Sequence, residues 1–288
     1  MTQPEPATPI ERSGFVTLAG RPNVGKSTLL NALCKRKLSI VSDKPQTTRF
    51  AIRGVINRNE VQIVFVDTPG LHKPVTELGK SVNRAAIDSL EGVDVACLVI
   101  DATAPFGRGD RWVAEKLPKD LVVVVNKVDL ASPGQIGAQL TAVAALDASA
   151  YFAVSARTGD GVTDLLDHLA ARMPVGPQYF PLEMATDLPD ETWVAELVRE
   201  QLLAVTRDEL PYSIATRVTE WEGSRIRVEI IVERESQKGM VIGKQGEVLK
   251  QVGQSARAQL PPGTYLELFV RVDKNWQQSA SRVQRLGY

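Results

Sequence analysis

The segment Gly20-Arg21-Pro22-Asn23-Val24-Gly25-Lys26-Ser27 constrains this chain more than any other. It fits G-x-x-x-x-G-K-[ST], and it stands between an apolar run at 15–18 that reads as a buried strand and a helical pattern at 26–34. Glycines at both ends let successive backbone N–H groups face phosphate oxygens at close range. Lys26 supplies a point charge for terminal phosphates, the Ser27 hydroxyl is suited to Mg²⁺, and Thr28 continues into a helix whose positive end adds to the cradle. A chain built around such a loop is expected to be α/β, with the loop at the carboxyl edge of a mostly parallel sheet.

The rest of the N-terminal half agrees. Short apolar runs at 51–56, 61–66, 93–100, 121–125 and 151–154 alternate with helical patterns at 81–90, 110–117 and 163–172. The exception is 51–56 to 61–66, joined by a short turn at Arg58-Asn59, which predicts an antiparallel hairpin at one edge of the sheet. Pro174, Pro177, Pro181 and Pro189 then mark a linker. Beyond it the pattern changes to helix 191–205, strands 213–221 and 225–233 around Glu222-Gly223-Ser224, helix 247–260, strand 265–272 and a last helix 274–286. The expected organisation is a tail at 1–12 with Pro4, Pro6 and Pro9, read as disordered; an α/β domain at 13–173; a Pro-rich linker at 174–190; and a small α+β domain at 191–288.

Three further boxes fall at strand ends, where open α/β sheets hold ligands. Asp67-Thr68-Pro69-Gly70 follows 61–66, placing Asp67 to hold Mg²⁺ and the Gly70 N–H to approach a terminal phosphate; alone, this box could be a proline turn. Asn126-Lys127-Val128-Asp129 follows 121–125. A carboxylate only accepts hydrogen bonds, so Asp129 matches the N1–H and N2–H₂ donors of guanine, which adenine lacks. Asn126 is expected to tie base pocket to phosphate loop, and the Lys127 stem to lie over the ring. Ser155-Ala156-Arg157, after 151–154, can offer a backbone N–H to the guanine O6. Between helix 26–34 and strand 51–56 lies Ser42-Asp43-Lys44-Pro45-Gln46-Thr47-Thr48-Arg49, polar, proline-broken and expected to order only with a partner.

Composition limits the other options. Lys plus Arg and Asp plus Glu are each 34, so no global field draws the chain to nucleic acid or membrane, and any such binding must be local. Two histidines (His72, His168) and two cysteines (Cys34, Cys97) argue against a multi-ligand zinc site, and both cysteines sit among apolar neighbours, where reduced thiols are expected. There is no secretory pattern at the start and no apolar run of membrane-spanning length.

In the second domain Gly243-Lys244-Gln245-Gly246 precedes helix 247–260. Alone it could be a tight turn. Two small residues also let a nucleic-acid backbone pass close, with Lys244 on a phosphate. Residues 234–257 carry Arg234, Lys238, Lys244, Lys250 and Arg257 against Glu235 and Glu247, a local basic patch; Ile242, with Gln245 beside it, stands where a groove floor would be.

The boxes G-R-P-N-V-G-K-S, P-Q-T-T-R, D-T-P-G-L-H-K-P, N-K-V-D and S-A-R resemble the GTPase domain of the Era family, bacterial ribosome-assembly GTPases in the TrmE, Era and EngA group. The run E-R-E-S-Q-K-G-M-V-I-G-K-Q-G resembles that family's type II KH domain, so the likeness spans nearly the whole chain. It implies a P-loop GTPase that binds GTP and GDP with Mg²⁺ held by Ser27, Thr48 and Asp67, favouring Thr48 over Thr47. It further implies binding to 16S ribosomal RNA near its 3′ end and work on the 30S subunit, with no DNA partner. The alternative is a switch whose KH domain takes another RNA or a protein. Leu71 stands where Ras-like enzymes carry a water-positioning Gln, which implies slow intrinsic hydrolysis. The resemblance makes Asn23 a candidate K⁺ ligand, against a plain role in holding the loop. The catalytic candidates are then Lys26, Thr48, Asp67, Gly70 and Asn23. The expected protein is a cytoplasmic monomer, with peripheral association at the inner face of the membrane left open.

Overall fold

The computed structural model describes residues 9–70, 75–206 and 210–288, so Leu71 and the first eight residues of the tail lie outside the described residues. The chain forms two compact units, one of 1–39, 50–72 and 84–187, the other of 40–49, 73–83 and 188–288.

The first unit is a six-stranded sheet ordered β2-β3-β1-β4-β5-β6. Its strands are β1 (Arg12–Ala19), β2 (Ile52–Arg58), β3 (Val61–Asp67), β4 (Val95–Asp101), β5 (Leu121–Asn126) and β6 (Ala150–Ala153). All pairings are parallel except β2 with β3. β4 and β5 are almost wholly buried, because crossover helices cover both faces and an unbroken Val/Ile/Leu run suits a strand with no wet side. The helices are α1 (Lys26–Cys34), α2 (Glu77–Asp88), whose first half belongs to the second unit, α3 (Arg108–Ala114), α4 (Pro133–Ala144) and α5 (Val162–Arg172). One core lies between the sheet, α1 and α5, around Leu29, Leu33, Phe65 and Leu165; the other covers the opposite face, around Leu98, Val113, Val123 and Val143. Cys34 and Cys97 are free thiols in these apolar surroundings, and burial pushes both up to about 12.

Several sequence expectations need correction. The β2–β3 turn is Asn59-Glu60, one residue later than expected, with Asn59 taking the left-handed conformation (φ 52°) that its short amide tolerates. β1 begins at Arg12, whose backbone pairs with Val175, so the tail ends earlier than expected. The proline-rich stretch is not a free linker. Gln62 binds it through Tyr179 N, Phe180 N and Phe180 O (2.8–2.9 Å), Thr186 bridges Gly54, and Arg53 pairs with Asp187 at 2.6 Å. Prolines stop this segment from joining a sheet as a regular strand while leaving its carbonyls free to accept.

The second unit is a three-stranded sheet ordered β7-β8-β9, from β7 (Ala215–Glu222), β8 (Arg225–Val232) and β9 (Tyr265–Val272). β7 runs antiparallel to β8, and β8 parallel to β9. Helices α6 (Asp190–Val205), the single turn α7 (Leu210–Ser213), α8 (Glu235–Ile242), α9 (Glu247–Arg257) and α10 (Ala280–Arg285) complete it. Its core joins Val198 and Leu202 to Val228, Ile230, Val241, Val252 and Ala256. The α8 helix was absent from the sequence reading. It supplies the connection that a parallel β8–β9 pair requires, together with α9.

Residues 42–49 are also not the unordered stretch expected of them. They pack within the second unit. Buried Arg49 donates to Ile214 O at 2.7 Å and Tyr212 O at 3.1 Å and faces the Tyr288 ring; Val41 N donates to Glu200 Oε1 at 3.0 Å. A guanidinium satisfied by carbonyls and aromatic faces anchors a segment too polar to bury itself.

Candidate functional site

The phosphate loop leaves β1 and enters α1 through Gly25, which is left-handed at φ 94°. Lys26 is buried. Its ammonium donates to Gly20 O (3.0 Å) and Arg21 O (2.9 Å), and it forms no ion pair within hydrogen-bonding reach among the described residues. Burial lowers it to about 8, with Asp67 pulling the other way. A buried ammonium whose hydrogen bonds go to backbone carbonyls is a site suited to an anion. Arg21 turns outward to pair with buried Asp110 at 2.7 Å, which in turn accepts from Gly107 N at 2.9 Å, fastening the loop to the start of α3.

Asp67, fully buried, ends β3 beside β1 and accepts from Ser39 Oγ at 3.0 Å. Ser27 is partly buried at the start of α1, so the first unit offers the hard oxygen donors Mg²⁺ prefers, a hydroxyl and a carboxylate. The third candidate ligand, Thr48, is buried in the segment that packs within the second unit. Thr68 Oγ1 donates to Leu18 O at 2.9 Å, and Gly70 packs so closely on Pro22 that a Cβ would lie 2.8 Å from its nitrogen. Pro69 is buried between them.

Asn126 links three boxes at once. Its Nδ2 donates to Val24 O at 2.9 Å and its Oδ1 accepts from Ala156 N at 3.0 Å. Lys127, left-handed at φ 67°, extends its ammonium to Asn23 O (2.6 Å) and to Asp101 (2.6 Å). Val128 N donates to Val154 O at 3.2 Å. Asp129 is exposed, so its carboxylate is open to a bound base. It is nevertheless oriented, since buried Ser155 donates its hydroxyl to Oδ1 at 2.7 Å. Arg157 and Asn23 are exposed. The sequence reading missed Asp101, Asp110, Ser39 and the side chain of Ser155. Asp101 alone had a usable signal, as an acid at a strand's carboxyl end.

In the second unit, Gly243 closes α8 at φ 75°, and Gln245 and Gly246 are also left-handed, so Lys244–Gly246 makes one tight turn into α9. A Cβ at Gly243 would lie 2.9 Å from Val248 Cβ, so the turn admits no side chain there. Lys244 and Lys250 are exposed, Ile242 is half-buried beside them, and α8 carries Lys238 after Arg234 at its cap. None of these four basic side chains forms an ion pair among the described residues, whereas Arg217, Arg225, Arg227 and Arg271 on the sheet are all paired with acids. The patch therefore carries positive charge that no ion pair among the described residues neutralises.

Among the described residues no helix is long and apolar enough to cross a membrane. A family model described as 50S ribosome-binding GTPase matches residues 15–127, and a KH domain model matches 209–277. The GTPase Era of Mycobacterium avium is 47% identical over 96% of this chain and 99% of its own length; that of Mycobacterium tuberculosis is 47% identical over 96% and 98%. Among solved structures, an Aquifex aeolicus Era variant bound to GDP and aluminium fluoride matches at a TM-score of 0.91, with 36% identity over 96% of this chain and 99% of that one. An Era complex with MgGDPNP and nucleotides 1506–1542 of 16S ribosomal RNA matches at the same TM-score, identity and coverage. With this identity sustained from end to end, and with the phosphate loop and the KH turn both in place, the chain belongs to the Era family of GTPases.

Proposed function

We propose that this GTPase couples its nucleotide state to binding of 16S ribosomal RNA near the 3′ end, and that it assists assembly of the small ribosomal subunit as a cytoplasmic monomer. The observation that carries the nucleotide half is Asn126, whose one amide fastens the phosphate loop, the base box and the Ser155-Ala156-Arg157 box to one another. In this reading Lys26 and the loop N–H groups hold the phosphates, Asp129 reads the guanine, and Ser27, Asp67 and Thr48 hold Mg²⁺. When bound, Mg²⁺ offsets charge on the phosphate oxygens. Lys26 and the loop amides act on the same charge through fixed positions, and no side chain serves as an obvious general base. Asn23 is the residue we assign to K⁺, and Leu71 keeps the unassisted rate low.

The RNA half is supported by the solved Era complex with RNA and by the unneutralised basic patch around Gly243–Gly246. The test is binding of a 16S 3′-end RNA to the full chain loaded with GDPNP or GDP. Lys244→Glu is expected to weaken binding about tenfold and to reduce its salt dependence. Binding unchanged by Lys244→Glu would move the RNA elsewhere on the chain. No binding by the parent protein in either nucleotide state would favour the alternative, a KH domain that takes another RNA or a protein.

Base choice has its own test. Asp129→Asn exchanges an acceptor for a donor-bearing amide, so GTP affinity should fall by about 100-fold or more while xanthosine triphosphate becomes a substrate. Competition between the two nucleotides in a hydrolysis assay reads this directly; retained preference for GTP would remove Asp129 from the base pocket.

A further inference from the structure

We propose that Asp101 is a positioning residue for the purine pocket: it fixes the Lys127 ammonium so that the lysine stem stands as one wall for the base. This rests on the reading of Asn126–Asp129 as the base box. Asp101 is the last residue of β4 and lies opposite Asn126 in the β4–β5 register, so the sheet itself sets its place next to that box. Its carboxylate is held rather than free to rotate. Oδ1 accepts from Thr103 N at 2.8 Å and from Thr103 Oγ1 at 2.6 Å. That leaves Oδ2 for Lys127 Nζ at 2.6 Å.

The lysine needs such a partner. Its backbone is left-handed (φ 67°, ψ 35°), a conformation a side chain tolerates poorly, and its long stem has many rotamers to lose. Two ties act on the ammonium, Asp101 and the Asn23 carbonyl at 2.6 Å, and they converge from β4 and from the phosphate loop. The Asp101–Lys127–Asn23 chain thus runs parallel to the deeper tie made by Asn126, at the mouth of the same pocket. Burial would raise the Asp101 carboxyl, but hydrogen bonds from Lys127 and Thr103 outweigh it and hold the group below the usual range, so it stays ionised at neutral pH.

A plain structural ion pair would predict a different result. The Asp101 and Lys127 side chains are 13% and 29% exposed, so as a pair they would contribute modest stability and nothing specific to nucleotide. The experiment measures dissociation of a fluorescent GDP, steady-state hydrolysis and unfolding of the nucleotide-free full chain. Asp101→Ala should raise the GDP dissociation constant about tenfold, mostly through faster release, with kcat at saturating GTP within about twofold. Asp101→Asn keeps the bonds from Thr103 and loses the charge, so it should fall in between. In a Lys127→Met background, which keeps the stem and deletes the ammonium, Asp101→Ala should add less than about twofold. An equal loss in both backgrounds, or a change only in unfolding with GDP release untouched, overturns the proposal. Should Asp101→Ala not fold, Asp101→Asn is judged by the same comparison. Failure of the unmodified protein to bind GDP would instead overturn the reading of the base box.

Discussion

Gly25→Ala should cost this protein at least about 100-fold in GDP affinity, near 2.7 kcal/mol, while leaving it folded. Two effects add. The position is left-handed, at φ 94° and ψ 27°, which costs an alanine about 1–2 kcal/mol. The larger effect is steric: a Cβ there would collide with Asn126 Nδ2, the atom that donates to Val24 O at 2.9 Å. Relief requires the loop and the base box to move apart, and Asn126 also accepts from Ala156 N at 3.0 Å, so the third box shifts with it. Titration with fluorescent GDP measures the loss, and circular dichroism verifies the fold. Gly92→Ala provides the control, because Gly92 has φ 70° with nothing within 4 Å of its Cβ, so it carries strain without collision. Binding by Gly25→Ala within about threefold of the parent would mean that Asn126 is not the tie that organises the pocket.

The same geometry explains what the sequence made legible. A glycine at Gly25, a lysine at Lys26 and strand–helix punctuation around them are local requirements, so they appear as a local motif. The central strands were legible for a similar reason, since a parallel strand covered on both faces needs a continuous apolar run, as in Leu121–Asn126. What stayed hidden depends on partners distant in sequence. Ser39 reads as an ordinary loop serine, yet it donates to Asp67, 28 residues away. Asp110 becomes meaningful only once Arg21 arrives beside it, and Asp101, though its place at a strand's carboxyl end marked it, gains its role only with Lys127. The α4 helix opens on a Ser132 cap with Pro133 behind it, but Gly134 and Gly137 dilute its periodicity. The α8 helix is short, eight residues including Gly239, with no strongly apolar face to announce it. Residues 42–49 look fit only for a loop, because the groups that bury Arg49 come from Tyr212, Ile214 and Tyr288.

Arg199 gives the second large effect. It is fully buried on α6 and grips Glu196, itself 3% exposed, through Nε at 2.7 Å and through Nη2; the same Nη2 donates to Thr47 O, while Nη1 has no hydrogen-bond partner among the described residues. Burial lowers Arg199, but Glu196 more than compensates, so the guanidinium stays charged. Arg199→Ala would leave the Glu196 carboxylate buried and unpaired and the Thr47 carbonyl without its donor, at a cost of about 3–5 kcal/mol. Urea unfolding followed by tryptophan emission, to which Trp193, Trp221 and Trp276 of this unit contribute alongside Trp112 of the first, should shift to markedly lower denaturant, while GDP binding reports the first unit separately. Glu196→Leu combined with Arg199→Met replaces the pair by apolar groups of similar volume and should recover most of that stability. The recovered double variant still lacks the donor to Thr47, so amides in residues 40–49 should exchange hydrogen faster than in the parent even at equal global stability. If exchange there returned to the parental rate, Arg199 would serve only its own helix, and the hold on the segment around Thr48 would belong to Arg49 and Glu200 alone.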